Sequence, residues 1–137
     1  MYNRKDAPLE YGLEDLFFRH GVDLQFYGHE HYYIRTFPLY GNVSQEYFKL
    51  EHYDDPLAPV HIITGSGGNF EKHPAVNPRA MEQHWVAVQA FDYGFTTVNF
   101  DSTSPLQANI QQWSAESNEI VDSFRITKSN PIPAWQR

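Results

Sequence analysis

The chain has 137 residues, of which 41% are hydrophobic, enough for one domain with a packed core and too few for two. Ten Lys and Arg against seventeen Asp and Glu leave a formal net charge of −7, which argues against a nucleic-acid-binding protein with a basic face. The sequence has no cysteine, no apolar run near the roughly 20 residues of a membrane-spanning helix, and no hydrophobic segment behind its charged start, so we expect no disulfide, thiolate site, membrane span or secretory signal in this chain.

The first predicted element is a helix over residues 9–20, where apolar residues recur at helical spacing. Gly21 can supply the left-handed residue that ends it. Residues 22–27 alternate apolar and polar side chains, which predicts a strand, and residues 32–37 also look extended. The long polar and aromatic segment 38–59 is expected to be a surface loop.

The second half of the chain is predicted to be rich in strands. Residues 60–64 form a β-branched run that enters the glycine-rich loop 65–69, and residues 73–83 read as a further loop. Turn residues then separate four apolar segments, 85–91, 95–100, 106–113 and 120–126, and this regular spacing predicts an antiparallel meander. Residues 128–137 carry two prolines and are expected to form a loosely docked tail.

The sharpest local feature is Gly28-His29-Glu30-His31 at the end of the first predicted strand. Residues two apart on a strand point to the same side, so both imidazoles would face one metal ion if the backbone stayed extended. Neutral imidazole suits zinc, iron, copper or nickel. The alternative is a pair of polar histidines where a strand meets solvent.

Two longer segments carry a resemblance to a known family: Gly28-His29-Glu30-His31-Tyr32-Tyr33-Ile34-Arg35 and Pro59-Val60-His61-Ile62-Ile63-Thr64-Gly65-Ser66-Gly67-Gly68-Asn69. Residues 11–17, 21–25 and 93–112 add to it. Over residues 9–127 the chain resembles the C-terminal part of a purple acid phosphatase, a metallophosphoesterase, and in particular the animal type-7-like group. The resemblance implies an α/β fold: the C-terminal half of a four-layer αββα sandwich, mostly antiparallel strands with one N-terminal helix.

The resemblance also implies a dinuclear centre of Fe(III) plus a divalent ion (zinc, iron or manganese) that hydrolyses phosphate monoesters. His29 would bind the divalent metal and His31 the Fe(III). The family's other ligands belong to upstream motifs that this sequence lacks, and two imidazoles cannot complete a coordination sphere of four to six ligands. We therefore expect residues 1–137 of this chain to be the C-terminal part of a catalytic domain whose upstream half is absent, and to be inactive alone.

Further expectations follow from the same resemblance. The sequon at Asn42 predicts a glycosylated loop in an extracellular or lysosomal parent protein. A homodimer of that full-length protein stays open. Ile34 stands where the family usually has Glu, a change that would alter the surroundings of the ligands.

Two other functions stay open from the sequence. One is a non-catalytic, β-rich binding module derived from the phosphatase fold. The other is a related metallophosphodiesterase or nucleotidase. The glycine loop lacks the Lys and Ser/Thr of a nucleotide-binding P-loop, and Ser66 has no adjacent base that would make it a nucleophile.

Overall fold

The computed structural model describes residues 12–44, 51–68, 83–101 and 106–129. These residues form one helix and ten strands. In chain order they are α1 (Leu13–Arg19), β1 (Leu24–Tyr27), β2 (Tyr33–Thr36), β3 (Leu39–Tyr40), β4 (Val43–Ser44), β5 (His52–Asp54), β6 (Val60–Thr64), β7 (Val86–Ala90), β8 (Gly94–Phe100), β9 (Gln107–Ser114) and β10 (Ile120–Thr127).

Helix α1 ends where the sequence predicts. Gly21 has φ 65°, and its N–H donates to the carbonyl of Phe18 at 3.1 Å while the next N–H donates to Phe17 at 3.0 Å, which satisfies carbonyls of the last turn. The helix begins at Leu13, and the predicted residues 9–11 lie outside the described ranges. In the part of the chain that the structure describes, no helix is long and apolar enough to cross a membrane.

Two four-stranded sheets form the body of the structure. The first sheet has the order β1-β6-β2-β7 and the second sheet has the order β5-β10-β9-β8, while β3 and β4 pair as a separate hairpin. The pairs β1–β6 and β5–β10 are parallel and the others are antiparallel. The expected fold, mostly antiparallel strands with one helix, is confirmed for the described residues.

The hydrophobic core is built by both sheets together. The first sheet contributes Tyr33, Val60 and Ile62, and the second contributes Tyr53, Ile110, Phe124 and Ile126. All of these side chains are buried. The alternation of buried and more exposed residues along β10 (Asp122, Phe124 and Ile126 inward) shows the period-2 pattern of a strand with one face on the core.

Of the four strands that the sequence predicts as a meander, only three form one. Strands β8, β9 and β10 are consecutive antiparallel neighbours, but β7 pairs with β2 in the first sheet. The prediction for residues 85–91 is therefore right about the strand and wrong about its partner. The apolar pattern specifies which side chains point to the core, and it leaves open which neighbouring strand supplies the hydrogen bonds.

The segment 38–59 is more ordered than a surface loop. Its described residues include β3, β4 and β5, and Tyr53 in β5 has no exposed surface. The expectation is wrong there because β5 completes the edge of the second sheet by pairing with β10; residues 45–50 lie outside the described ranges. Of the predicted tail 128–137, only Lys128 and Ser129 are described, and Lys128 Nζ lies 2.7 Å from Asp23 Oδ1.

Candidate metal site

The candidate ligands lie where two parallel strands end. Strands β1 and β6 are neighbours with Tyr27 opposite Ile63, so their carboxyl ends meet at one edge of the first sheet. The segment that follows β1 is residues 28–31, here called the His turn, and the segment that follows β6 is the glycine loop, of which residues 65–68 are described. Carboxyl ends of parallel strands are a usual location for ligand sites in α/β sheets.

The His turn is not extended. Strand β1 ends at Tyr27, and His29 adopts a left-handed backbone conformation with φ 76°. The expectation that both histidines share one face of a strand is wrong. The physical reason is topological: β6 lies between β1 and β2, and β2 runs antiparallel to β6, so the chain must reverse and cross β6 within a few residues.

The two histidines differ in exposure, since His29 is exposed and His31 is partly buried. A positive φ is uncommon outside glycine, and residues held in sparsely populated conformations concentrate at functional sites. Burial and the neighbouring Glu30 carboxylate raise the pKa of Tyr32, the residue that follows the turn. The metal-ligand role of His29 and His31 stays a prediction.

Gly65 packs against the backbone of the His turn. A Cβ at Gly65 would lie 2.0 Å from the carbonyl oxygen of Glu30 and 3.0 Å from its carbonyl carbon. The Gly65 N–H also donates to the carbonyl of Tyr32 at 3.3 Å. Only glycine therefore allows the two segments to approach this closely, and the loop after β6 helps to shape the turn that carries the histidines.

Ser66 connects this edge to the second sheet. It has no exposed surface, its carbonyl accepts the N–H of Gly94 at 3.1 Å, and its hydroxyl donates to the Gly94 carbonyl at 3.5 Å. A hydroxyl buried and bonded in this way serves packing, which agrees with its rejection as a nucleophile.

The available donors make an incomplete metal site. Among the described residues, no group of three or more His, Cys, Asp or Glu side chains is placed to hold an ion. His29 and His31 can offer two nitrogen donors at an accessible edge, and four or more ligands are the rule for zinc and iron. His29 and His31 can therefore contribute to a metal site, but other residues must complete it.

The structure contains a buried charge network, joining β2 to β5 and β10, that the sequence analysis did not predict. Arg35 is 1% exposed and makes a two-pronged contact with Asp122 of β10, Nε to Oδ2 at 2.6 Å and Nη2 to Oδ1 at 2.9 Å. Tyr33 donates its hydroxyl to Asp122 Oδ2 at 2.7 Å, and Arg35 Nη1 donates to the Tyr53 hydroxyl at 2.7 Å. The guanidinium also lies 4.4 Å from the ring centroid of Phe124. We call these residues the Arg35 network.

One signal in the sequence pointed to the network. Position 122 carries a carboxylate where the alternating pattern of β10 places core residues, and such an acid needs a buried cationic partner. The network raises the pKa of Tyr33, because burial and the Asp122 carboxylate both disfavour the phenolate. The hydrogen bonds of Asp122 raise the pKa of Arg35 despite the opposing effect of burial. Ile34, which lies between Tyr33 and Arg35 in β2, is buried at 5% exposure.

The buried His61 in β6 makes hydrogen-bond contacts through both ring nitrogens. Its Nδ1 lies 3.1 Å from the Tyr27 hydroxyl and its Nε2 lies 3.2 Å from the Leu39 carbonyl. Burial lowers the pKa of His61. The neutral ring can therefore donate through Nε2 to the Leu39 carbonyl.

Asn42 lies in an exposed turn. Together with Gly41 (φ 60°) it forms the left-handed pair of residues between β3 and β4, as a two-residue hairpin turn requires. The third sequon residue, Ser44, is buried at 3% exposure. Nothing in the structure tests glycosylation of Asn42.

A family model described as "Iron/zinc purple acid phosphatase-like protein C" matches residues 58–123. An acid phosphatase type 7 from Danio rerio is 37% identical over 127 residues, which cover 91% of this chain and 28% of the relative. Over most of its length the chain is therefore similar to part of a purple acid phosphatase. A human acid phosphatase type 7 is 40% identical over 121 residues, 86% of this chain and 26% of that protein.

The fold agrees with this similarity. The structure of a purple acid phosphatase from yellow lupin seeds superimposes with a TM-score of 0.67 at 25% identity, covering 85% of this chain and 19% of the lupin chain. The chain spans about a quarter of the length of the curated relatives that it matches. Some plant relatives are named probable inactive purple acid phosphatases.

Proposed function

We propose that this chain is the part of a purple acid phosphatase that supplies His29 and His31 to a dinuclear metal centre for hydrolysis of phosphate monoesters. The observation that carries the proposal is the His turn itself. It holds His29 in a left-handed conformation against Gly65, at the carboxyl ends of two parallel strands. Sparsely populated backbone conformations concentrate at functional sites, and relatives of this chain include acid phosphatases, which supports a functional reason for the conformation of His29.

In this proposal His29 is a ligand of a divalent ion (zinc, iron or manganese) and His31 a ligand of Fe(III). The family description, which names iron and zinc, supports this choice of metals. When bound, such a metal pair orients the phosphate ester and lowers the pKa of water. The chain's own contribution is to present two imidazoles from one turn. The remaining ligands come from parts of the protein outside this chain.

Metal-ligand variants of the full-length protein test the proposal. We expect His29→Ala and His31→Ala each to lower kcat for p-nitrophenyl phosphate by about two orders of magnitude, since a lost ligand removes several kcal/mol of charge stabilisation. His20→Ala is the matched control, because that side chain is exposed at the end of α1. Metal content measured by mass spectrometry should fall in the two ligand variants only.

Two results would contradict the proposal. One is full phosphatase activity in His29→Ala and His31→Ala. The other is efficient hydrolysis by the 137-residue chain alone after addition of iron and zinc, because two imidazoles do not complete a coordination sphere.

A second candidate function is a non-catalytic binding module. The plant relatives that are named inactive favour it, since this fold occurs in proteins to which no activity is credited. The two candidates differ in the full-length protein: the module would bind no metal pair and hydrolyse no ester, yet unfold cooperatively as a folded protein. Full-length protein that takes up two metal ions per chain would exclude it.

We also propose that the parent protein is extracellular or lysosomal and carries a glycan on Asn42. The exposed hairpin turn at Asn42 supports this, because a glycan acceptor must be accessible. Ser44→Ala is a suitable test variant: it destroys the sequon while leaving the left-handed residue Asn42 in place. A mass decrease on enzymatic deglycosylation should occur in protein from a secretory host and vanish in Ser44→Ala.

A further inference from the structure

The His turn is anchored on both sides. On one side Gly65 touches the Glu30 carbonyl. On the other side the chain enters β2, and Tyr33, only two residues after His31, sends its hydroxyl to Asp122 Oδ2 at 2.7 Å in the second sheet. Tyr33 and Asp122 are 89 residues apart, so the first residue of β2 is fixed by a strand that forms at the far end of the chain.

The anchor is specific in its geometry. The Asp122 carboxylate accepts from Arg35 through two N–H groups and from Tyr33 through a third donor, and planar two-pronged contacts of this kind fix orientation as well as distance. All of these groups are buried, and in a low-dielectric interior a network of fully bonded polar groups is rigid.

We propose that Asp122 is a positioning residue for the metal ligands, acting through Tyr33 on the His turn. This inference rests on the proposed function, in which His29 and His31 bind metal, and it adds a residue of the second sheet to a site built on the first. Asp122 lies in β10 of the second sheet. It sets where β2 begins and therefore where the reversal that carries His31 ends.

The network offers a matched pair of variants, Tyr33→Phe and Tyr53→Phe. Both tyrosines have no exposed surface, and both lose one hydroxyl that bonds within the Arg35 network. Tyr33 is only two residues beyond the His turn in the chain, whereas Tyr53 lies in β5. A purely structural role for the network predicts equal effects of the two changes.

The experiment measures Zn²⁺ binding to the metal-free full-length protein by calorimetric titration. We expect Tyr33→Phe to weaken binding about tenfold, the lower end of the range for groups that orient metal ligands, and Tyr53→Phe to leave it within about twofold. Thermal melting should show similar losses of stability for both. Equal Zn²⁺ affinities in the two variants would overturn the inference.

A second, metal-free measurement separates this inference from the proposed function. Amide hydrogen exchange at residues 30–32 should be faster in Tyr33→Phe than in Tyr53→Phe. If His29→Ala and His31→Ala leave Zn²⁺ binding unchanged, the ligand assignment fails, and the exchange rates still decide whether Asp122 and Tyr33 position the turn. Equal exchange in the two variants would refute the positioning role.

Discussion

Replacement of Gly65 by alanine should destabilise the fold, because the added Cβ collides with backbone. It would lie 2.0 Å from the Glu30 carbonyl oxygen, whereas real Cβ contacts are essentially never under 3.0 Å. The two segments must therefore separate by about 1 Å. Both are tied into the first sheet, by the Gly65–Tyr32 hydrogen bond and the pairing of β2 with β6, so the strain cannot be relieved by a side-chain rotation.

The magnitude follows from overpacking in a constrained site. Such changes cost about 1–3 kcal/mol, and a backbone neighbour places Gly65→Ala at the upper end. Alanine also restricts the unfolded chain, which returns about 0.4–1 kcal/mol. A net loss of about 2 kcal/mol in the free energy of unfolding is expected. With an unfolding entropy of about 2.1 cal/mol/K per residue, this corresponds to a fall in Tm of about 7 °C for 137 residues.

Gly67→Ala is the control in the same loop. Among the described residues, no atom beyond its chain neighbours lies within 4 Å of a Cβ at Gly67, and its backbone is outside the left-handed region. The stability of the variant should therefore stay within about 0.5 kcal/mol of the wild type. Urea unfolding followed by circular dichroism measures both variants. If Gly65→Ala proves as stable as Gly67→Ala, the contact that shapes the His turn is not as described.

Three further predictions concern other parts of the fold. Arg35→Met should lower the free energy of unfolding by about 3–5 kcal/mol, because it leaves the Asp122 charge buried without its partner. Adding Asp122→Asn should restore part of that loss in urea unfolding. A double variant no more stable than Arg35→Met would contradict this reasoning. His61→Gln should reduce the loss of stability on acidification. Burial lowers the pKa of folded His61 below 6.5, so the unfolded chain binds more protons than the folded chain. The stability of the wild type therefore falls relative to that of the variant as the pH drops from about 7.5 to about 5.5. A constant difference across that range, measured by thermal melts, would argue against a buried neutral imidazole. Asn42→Ala should cost about 1 kcal/mol in chemical unfolding relative to Asn42→Gly, because alanine tolerates φ 64° poorly; equal stability would contradict the left-handed turn.

The sequence alone predicted much of the local structure. The end of α1 at Gly21, the strand after it, the run 60–64 and the three strands of the meander all follow from side-chain period and turn residues. It also pointed to His29 and His31, and the motifs around them carried the family resemblance. These are features that a few neighbouring residues specify, because backbone preference and apolar period act over short distances.

What the tertiary structure decided are relations between distant segments. The transfer of β7 to the first sheet, the parallel pairing of β5 with β10, and the contact of Gly65 with Glu30 each depend on which strands become neighbours. The reversal at His29 is imposed by the position of β6 between β1 and β2. The partnership of Arg35 with Asp122 joins residues 87 positions apart. A period-2 pattern assigns a side chain to a face and is silent about its neighbour across the core, so such pairings emerge only when the sheets pack together.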